Sequence, residues 1–331
     1  MAILNISDLR ARAAELSRHH RDTTVRLVLL YCGVLALLSL GSSGLNLLLD
    51  SGIGQTGGLD GMGLRSVLQT VEEVLYYVNL LFGPFWTAGF LFAMLGMVRG
   101  REPELMDLTA GFRRFGRVLG HLAFDFLVLF TLVMAATNLA AVIFSFTGWG
   151  EEFAAMLQAV LEDPNLIAAD GTLNAELIPM AELTRAMTPM LVITVLVFLP
   201  MYLYVSMCFR MSMYLVVERP ISGVQAHFLS MRLMRGHKWQ LLKLDLRYWW
   251  YYLLGFAATG VGYLDQLLPL AGVELPVDKT VQFFLFMGIY FVLNIALSLW
   301  KKCEVDTAHV LAYEAIAYPE QTGEEFGMQS A

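Results

Sequence analysis

Residues Leu27–Leu49 read LVLLYCGVLALLSLGSSGLNLLL, 23 consecutive positions without a charge. Crossing about 30 Å of hydrocarbon at about 1.5 Å per residue takes roughly 20 residues of helix. In lipid such a stretch has to be helical, because every backbone N–H and C=O needs a partner inside the segment. Five further uncharged runs follow: Val74–Val98, Phe126–Gly150, Ala186–Phe209, Tyr248–Leu264 and Thr280–Trp300. The fifth has only 17 residues and is expected to borrow flanking residues on one side. The sequence thus predicts an all-α, polytopic membrane helix bundle with six transmembrane helices, near 27–49, 74–98, 122–148, 186–209, 243–264 and 280–300. They form a single membrane domain over 1–318, followed by a disordered cytoplasmic tail at 319–331. The first run starts too late and extends too far for a signal peptide, and it has no small-x-small cleavage site.

Composition points the same way. The 331 residues are 57% hydrophobic and only 15% charged, where a soluble domain has about 45–50% apolar and about 25% charged residues. The net charge of −7 argues against a nucleic-acid partner. Cys32, Cys208 and Cys303 are far apart, with no CxxC spacing, so neither a disulfide framework nor a cysteine zinc site is expected. The 18 methionines read as bundle filler rather than a metal path. No cofactor is expected.

Charge distribution sets the orientation. Nineteen of the 22 Lys and Arg residues fall before the first run, between the second and third, between the fourth and fifth, or after the sixth. Only Arg65, Arg185 and Lys279 lie on the other side. The positive-inside rule then places both termini in the cytoplasm of a cell (inner) membrane protein. The third-to-fourth connection is acidic and reads as a solvated outer loop. Within it Phe153, Met156, Leu157 and Val160 recur at helical spacing until Asp163–Pro164.

The basic connections share a grammar. Arg101–Glu102–Pro103 precedes Leu105, Leu108, Phe112, Phe115 and Leu119 on one helical face; Glu218–Arg219–Pro220 precedes Ile221, Val224, Phe228 and Met231 on one face, with His227, Arg232 and Arg235 elsewhere. Ala308, Leu311, Ala315 and Ile316 make a weaker third copy. Basic amphipathic helices of this kind are expected to lie in the inner interface against anionic lipid, as is the N-terminal stretch Ile6–Thr24.

The stretch Glu218–Leu246, ERPISGVQAHFLSMRLMRGHKWQLLKLDL, contains the pattern S-x-x-L-M-x-G-H-K-W-Q-L at Ser230–Leu241. With TAHVLAYE at Thr307–Glu314 and L-R-A-R-A-x-x-L at Leu9–Leu16, it resembles an uncharacterised bacterial integral membrane family, that of domain of unknown function nine-seven-five. That family is in turn distantly similar to the membrane domain of some glycerophosphodiester phosphodiesterases, which is not their catalytic part. The resemblance implies about six helices and no established activity. Lys243, Asp245 and Arg247 depart from it, at positions where the family is apolar.

Five residues stand out as site candidates. Asp125 interrupts the apolar stretch Leu122–Phe130. A carboxylate at the centre of a membrane helix costs roughly 2.5–3.5 kcal/mol, which makes it a functional candidate by default. His121 is four residues earlier, on the same face. Together they can relay a proton or hold a cation; the plainer reading is a mutual hydrogen bond, or one to Arg117, that fixes the helix. Pro84 and Pro200 interrupt the second and fourth runs, and broken helices at matching places mark substrate sites in many transporters, although kinks also serve packing. Asp245 precedes the aromatic run Tyr248–Tyr252, an interfacial belt beside which the charges would snorkel. Gly96–Gly100 and Gly116–Gly120 have GxxxG spacing. The expected role is a non-enzymatic, transport-type or membrane-organising component acting on lipids or amphipathic molecules. The alternatives are a membrane enzyme using Asp125 and His121, and a scaffold that binds a partner through its cytoplasmic helices. Expected partners are membrane lipids, with a membrane protein or a second copy of the chain.

Overall fold

The computed structural model describes residues 5–50, 59–162, 180–264, 267–268, 273 and 277–319; the tail expected at 319–331 lies almost wholly outside them. All regular structure among the described residues is helical. The long helices are α1 (Ile6–His19), α2 (Arg21–Asp50), α3 (Leu59–Val98), α5 (Phe115–Ser145), α6 (Gly148–Leu161) and α7 (Met180–Phe209). Between α3 and α5 come a 3-10 turn (Leu105–Thr109) and the short α4 (Ala110–Arg113). Then follow α8 (Ser212–Glu218), α9 (Gly223–Leu233), α10 (Lys238–Arg247), α11 (Trp249–Gly262), α12 (Lys279–Leu297), a π-helical turn (Ser298–Lys302) and α13 (Cys303–Ala317).

Among the described residues, five stretches of helix are long and apolar enough to cross a bilayer: Arg21–Gly41, Ser66–Val98, Phe115–Ser145, Glu182–Glu218 and Val281–Ala317. The chain is a multi-pass, all-α membrane protein. The fifth expected span differs. The helix expected over 243–264 breaks at Tyr248 (φ −107°, ψ 15°), leaving α11 with 14 residues, about 21 Å of rise against about 30 Å of hydrocarbon. Polarity explains the break. Asp245 does not snorkel beside the aromatic belt but turns inward to the His309 ring (Oδ1 to Nε2, 2.8 Å). Tyr248 is fully buried, while Trp249 remains exposed.

The described residues fall into two compact units. The first combines residues 1–122 with 211–331. Its core contains Phe85, Phe90, Met94, Leu108, Met211, Leu215, Leu241 and Tyr313. α13 lies at the middle of it, buried from Cys303 through Leu311 apart from Glu304 and Asp306. The expectation of a third interfacial helix is thereby corrected. Its small residues, Ala308 and Ala312, admit close neighbours on every side, and α1 and α3 both pack against it. Polar contacts join α2 to α3: Trp86 Nε1 donates to the Tyr31 carbonyl at 3.2 Å, and the Tyr31 and Thr87 hydroxyls meet at 3.0 Å. In an apolar surround such bonds act as glue between helices.

The segment after α3 is not the single amphipathic helix its spacing predicts. It is tied across α3 by two glycines. A Cβ on Gly89 would sit 1.9 Å from the Leu108 carbonyl oxygen, and one on Gly111 would sit 2.0 Å from that of Phe85. Backbone thus meets backbone at both glycines, and neither belongs to the GxxxG pairs; of those, Gly120 lies against Gly223 at the start of α9. Gly100 instead ends α3 with φ +78°, its successor's N–H returning to the Gly96 carbonyl at 2.9 Å, and Gly116 faces open space. Arg101 then forks onto Asp107 at 3.0 and 2.9 Å.

The helix after Glu218–Arg219–Pro220 forms as expected, its start closed by a reciprocal Ser222–Gln225 capping box. Its orientation is the reverse of a soluble amphipathic helix. Val224 and Phe228 are 40% and 51% exposed, whereas Gly223, Ala226, His227 and Ser230 are buried. Where the surroundings are lipid, the outward face is the apolar one, and the small and polar face packs inward.

The second unit, 123–210, comprises most of α5 with α6 and α7. α6 covers the apolar stripe read in the acidic connection; it starts at Thr147, whose hydroxyl accepts from Gly150 N–H at 3.3 Å, and it packs on α7. Large apolar side chains such as Phe126, Leu191 and Leu196 are exposed, as expected of lipid-facing helices.

Candidate functional site

The first unit carries a cleft of about 640 Å³ where α1 gives way to α2 and where the π-helical turn leads into α13. The helix breaks at His20, and Arg18 and Arg21 on either side of the break line the cleft. Opposite them the π-helical turn, a wider winding often found at functional positions, brings Trp300 and Lys301 to the same wall. Its next residue, Lys302, serves packing instead: its ammonium meets Asp306 at 2.9 Å and lies 5.0 and 4.9 Å from the Tyr31 and Phe90 ring centres. The rim therefore holds three cations, of which Lys301 pairs with Glu304. The depth is apolar, with Val25 and Val28. Such a volume is typical of a small-molecule site, and a cationic rim over an apolar floor suits an amphipathic anion.

The same unit contains an ionic network that joins both proline turns to the C-terminal helix. The Arg99 guanidinium pairs with Glu218 and with Glu314, the latter at 2.7 Å. Glu218 also accepts from the Tyr313 hydroxyl, and from that of Tyr318 at 2.8 Å. Burial pushes the Arg99 guanidinium down, but its hydrogen bond to Glu218 and the charges of Glu314 and Glu218 outweigh burial and hold it above its usual range. Two of the arginines read as lipid contacts are partly structural. Arg117 Nη1 donates to the Arg219 carbonyl at 2.7 Å, and the Arg114 guanidinium lies 4.3 Å from the Phe92 ring centre.

The five residues singled out in the sequence are dispersed. Pro84 is half-buried inside α3, and Pro200 is exposed inside α7; neither lines the cleft. Asp245 belongs to its pair with His309. The His309 Nδ1 also faces an oxygen, the Val305 carbonyl at 2.8 Å, so both ring nitrogens are engaged. His121 and Asp125 follow one another by a turn of α5, with ligating atoms within 4.8 Å. What the sequence did not show is the burial of His227: placed only away from the apolar stripe, it is fully buried and stacks on His121, ring centres 4.4 Å apart. The cleft was missed as well. Arg18, Arg21 and Lys301 read only as topology signals, since about 280 residues separate the two walls.

The sequence profile of a family described as "Protein of unknown function (DUF975)" matches residues 3–270. Neither a curated protein nor a solved structure matches. The distant likeness to the glycerophosphodiester phosphodiesterase membrane domain is not shown by these comparisons.

Proposed function

The chain belongs to the DUF975 family of proteins of unknown function, and from that premise we propose that it is a non-enzymatic membrane component that binds anionic lipids or similar amphiphiles, as a transport-type or membrane-organising protein. The observation that carries this reading is the cleft: Arg18, Arg21 and Lys301 form a cationic rim, and Val25, Val28 and Trp300 are the apolar surface an acyl chain would lie along. The cleft sits at the start of one candidate span and beside the π-helical turn within another, the level at which a headgroup would reach it. Replacing Arg18 and Arg21 by Glu should weaken retention of phosphatidylglycerol by roughly 1 kcal/mol per basic residue. Native mass spectrometry of the detergent-released protein measures it, with phosphatidylcholine as the neutral comparison. Equal retention by the variant would remove the cleft as a lipid site.

In this reading both termini are cytoplasmic and the membrane is the inner one; the skew of 19 of 22 basic residues to one side supports it. A cysteine at Gly171, in a chain whose three native cysteines are replaced by alanine, should label with an impermeant thiol reagent in intact cells. A cysteine at Glu102 should label only after lysis. The native Cys303 is a poor reporter, because it is buried. Labelling of Glu102→Cys from outside would reverse the orientation.

A further inference from the structure

The two guanidiniums on the rim of the cleft differ from the lysine opposite them. Lys301 is neutralised by Glu304, which lines the same wall. Among the described residues neither Arg18 nor Arg21 forms an ion pair, and their acidic neighbours in sequence, Glu15 and Asp22, do not line the cleft. The Arg18 Nε donates to the Ala14 carbonyl at 3.0 Å. That bond ties the side chain back along α1 and leaves both terminal nitrogens for a ligand. Arg21 stands just beyond the break at His20, where the Thr24 hydroxyl donates to its carbonyl at 3.0 Å. Ser17 adds a hydroxyl to this wall. Three cations and one carboxylate leave the cleft with a surplus of two positive charges.

That surplus discriminates between headgroups. A phosphodiester such as phosphatidylglycerol brings a single negative charge. A phosphomonoester carries about −1.5 to −2 near pH 7 and presents three terminal oxygens, enough for two guanidinium forks at once. Resting on the lipid reading of this cleft, we propose that its ligand is a lipid whose headgroup is a phosphomonoester, with phosphatidic acid as the simplest case. Arg18 and Arg21 hold the terminal oxygens, and the acyl chain follows Val25, Val28 and Trp300. A soluble phosphomonoester would satisfy the two arginines equally but leave that apolar floor uncovered.

The test is native mass spectrometry of the full chain released from detergent, with phosphatidic acid, phosphatidylglycerol and phosphatidylcholine of the same acyl chains. Phosphatidic acid should be retained roughly fivefold better than phosphatidylglycerol. In the double variant Arg18→Gln, Arg21→Gln that advantage should fall to about one. Both arginines are exposed, so the double variant leaves the core untouched. Glycerol 3-phosphate, the same monoester without acyl chains, should not displace phosphatidic acid at about tenfold excess. Equal retention of phosphatidic acid and phosphatidylglycerol, both above phosphatidylcholine, would overturn the monoester while the cleft stayed an anionic-lipid site. Retention of all three alike would overturn the lipid reading as well. An advantage that survives in the double variant would put the monoester elsewhere on the chain and overturn its assignment to this cleft. Displacement by glycerol 3-phosphate would make the ligand a soluble ester and overturn the lipid.

Discussion

Gly111→Ala should destabilise the folded chain by about 3 kcal/mol or more, at the upper end for overpacked positions. The added methyl would meet the Phe85 carbonyl oxygen at 2.0 Å. Both atoms belong to backbone, so no rotamer change relieves the clash; α4 would have to lift off α3. Lifting it would open the stack in which Phe85 lies between Phe112 and Phe115, at 5.3 and 4.9 Å between ring centres. Gly89→Ala should behave alike, because its methyl would meet the Leu108 carbonyl oxygen. Gly33→Ala is the comparison. It lies within α2 with nothing within 4 Å of an added Cβ, so helix propensity alone applies and a gain of about 0.5–1 kcal/mol is expected. Unfolding midpoints in mixed detergent and denaturant report all three. Equal midpoints for Gly111→Ala and Gly33→Ala would mean that α3 and α4 are not held at this distance.

The contrast between these glycines shows where sequence reading succeeds and stops. Uncharged length located α2, α3, α5, α7 and α12, because the cost of an unpaired backbone group in hydrocarbon leaves few alternatives. The periodicity at Phe153–Val160 located α6. Which glycine touches another helix is a matter of tertiary crossing, and GxxxG spacing is a partial guide: Gly120 lies against Gly223 where α9 meets α5, whereas Gly96 faces the Arg101 side chain, Gly100 terminates α3 and Gly116 has open space around it.

Burial of the face away from the stripe was not legible for a related reason. Hydrophobic periodicity gives the direction of the stripe but not what lies behind it. For α9 the stripe of Val224 and Phe228 is exposed, but nothing in the periodicity said that His227, away from the stripe, is fully buried. The strongest signal available was compositional, since Gly223, Ala226 and Ser230 are small residues sharing the His227 face. Asp125 drew attention because a charge in an apolar run is costly; the stacking of His227 on His121, about 100 residues earlier, left no trace in either local stretch. Asp245 was legible as an anomaly but not as half of a pair, because His309 lies 64 residues away.

Arg99→Ala should cost about 2 kcal/mol. It takes the bridging cation away from two carboxylates, Glu218 and Glu314, whose side chains are only 10% and 12% exposed, although Arg219 stays 3.9 Å from Glu218. Breaking a buried ion pair costs about 3–5 kcal/mol. The guanidinium itself is 43% exposed, so water can enter and recover part of that. Arg99→Lys should lose less, about 1 kcal/mol, because an ammonium keeps the charge but lacks the fork that reaches both carboxylates. The decisive variant is Arg99→Ala combined with Glu218→Gln. Neutralising Glu218 removes one of the two neighbouring negative charges while leaving a group that can still accept from Tyr313 and Tyr318. The double variant should therefore cost about 1 kcal/mol less than the sum of the two single changes. Thermal midpoints of the four proteins in one detergent give the cycle. If the two changes instead add, Arg99 and Glu218 stabilise the chain independently. The network would then not be what clamps the two proline turns to α13.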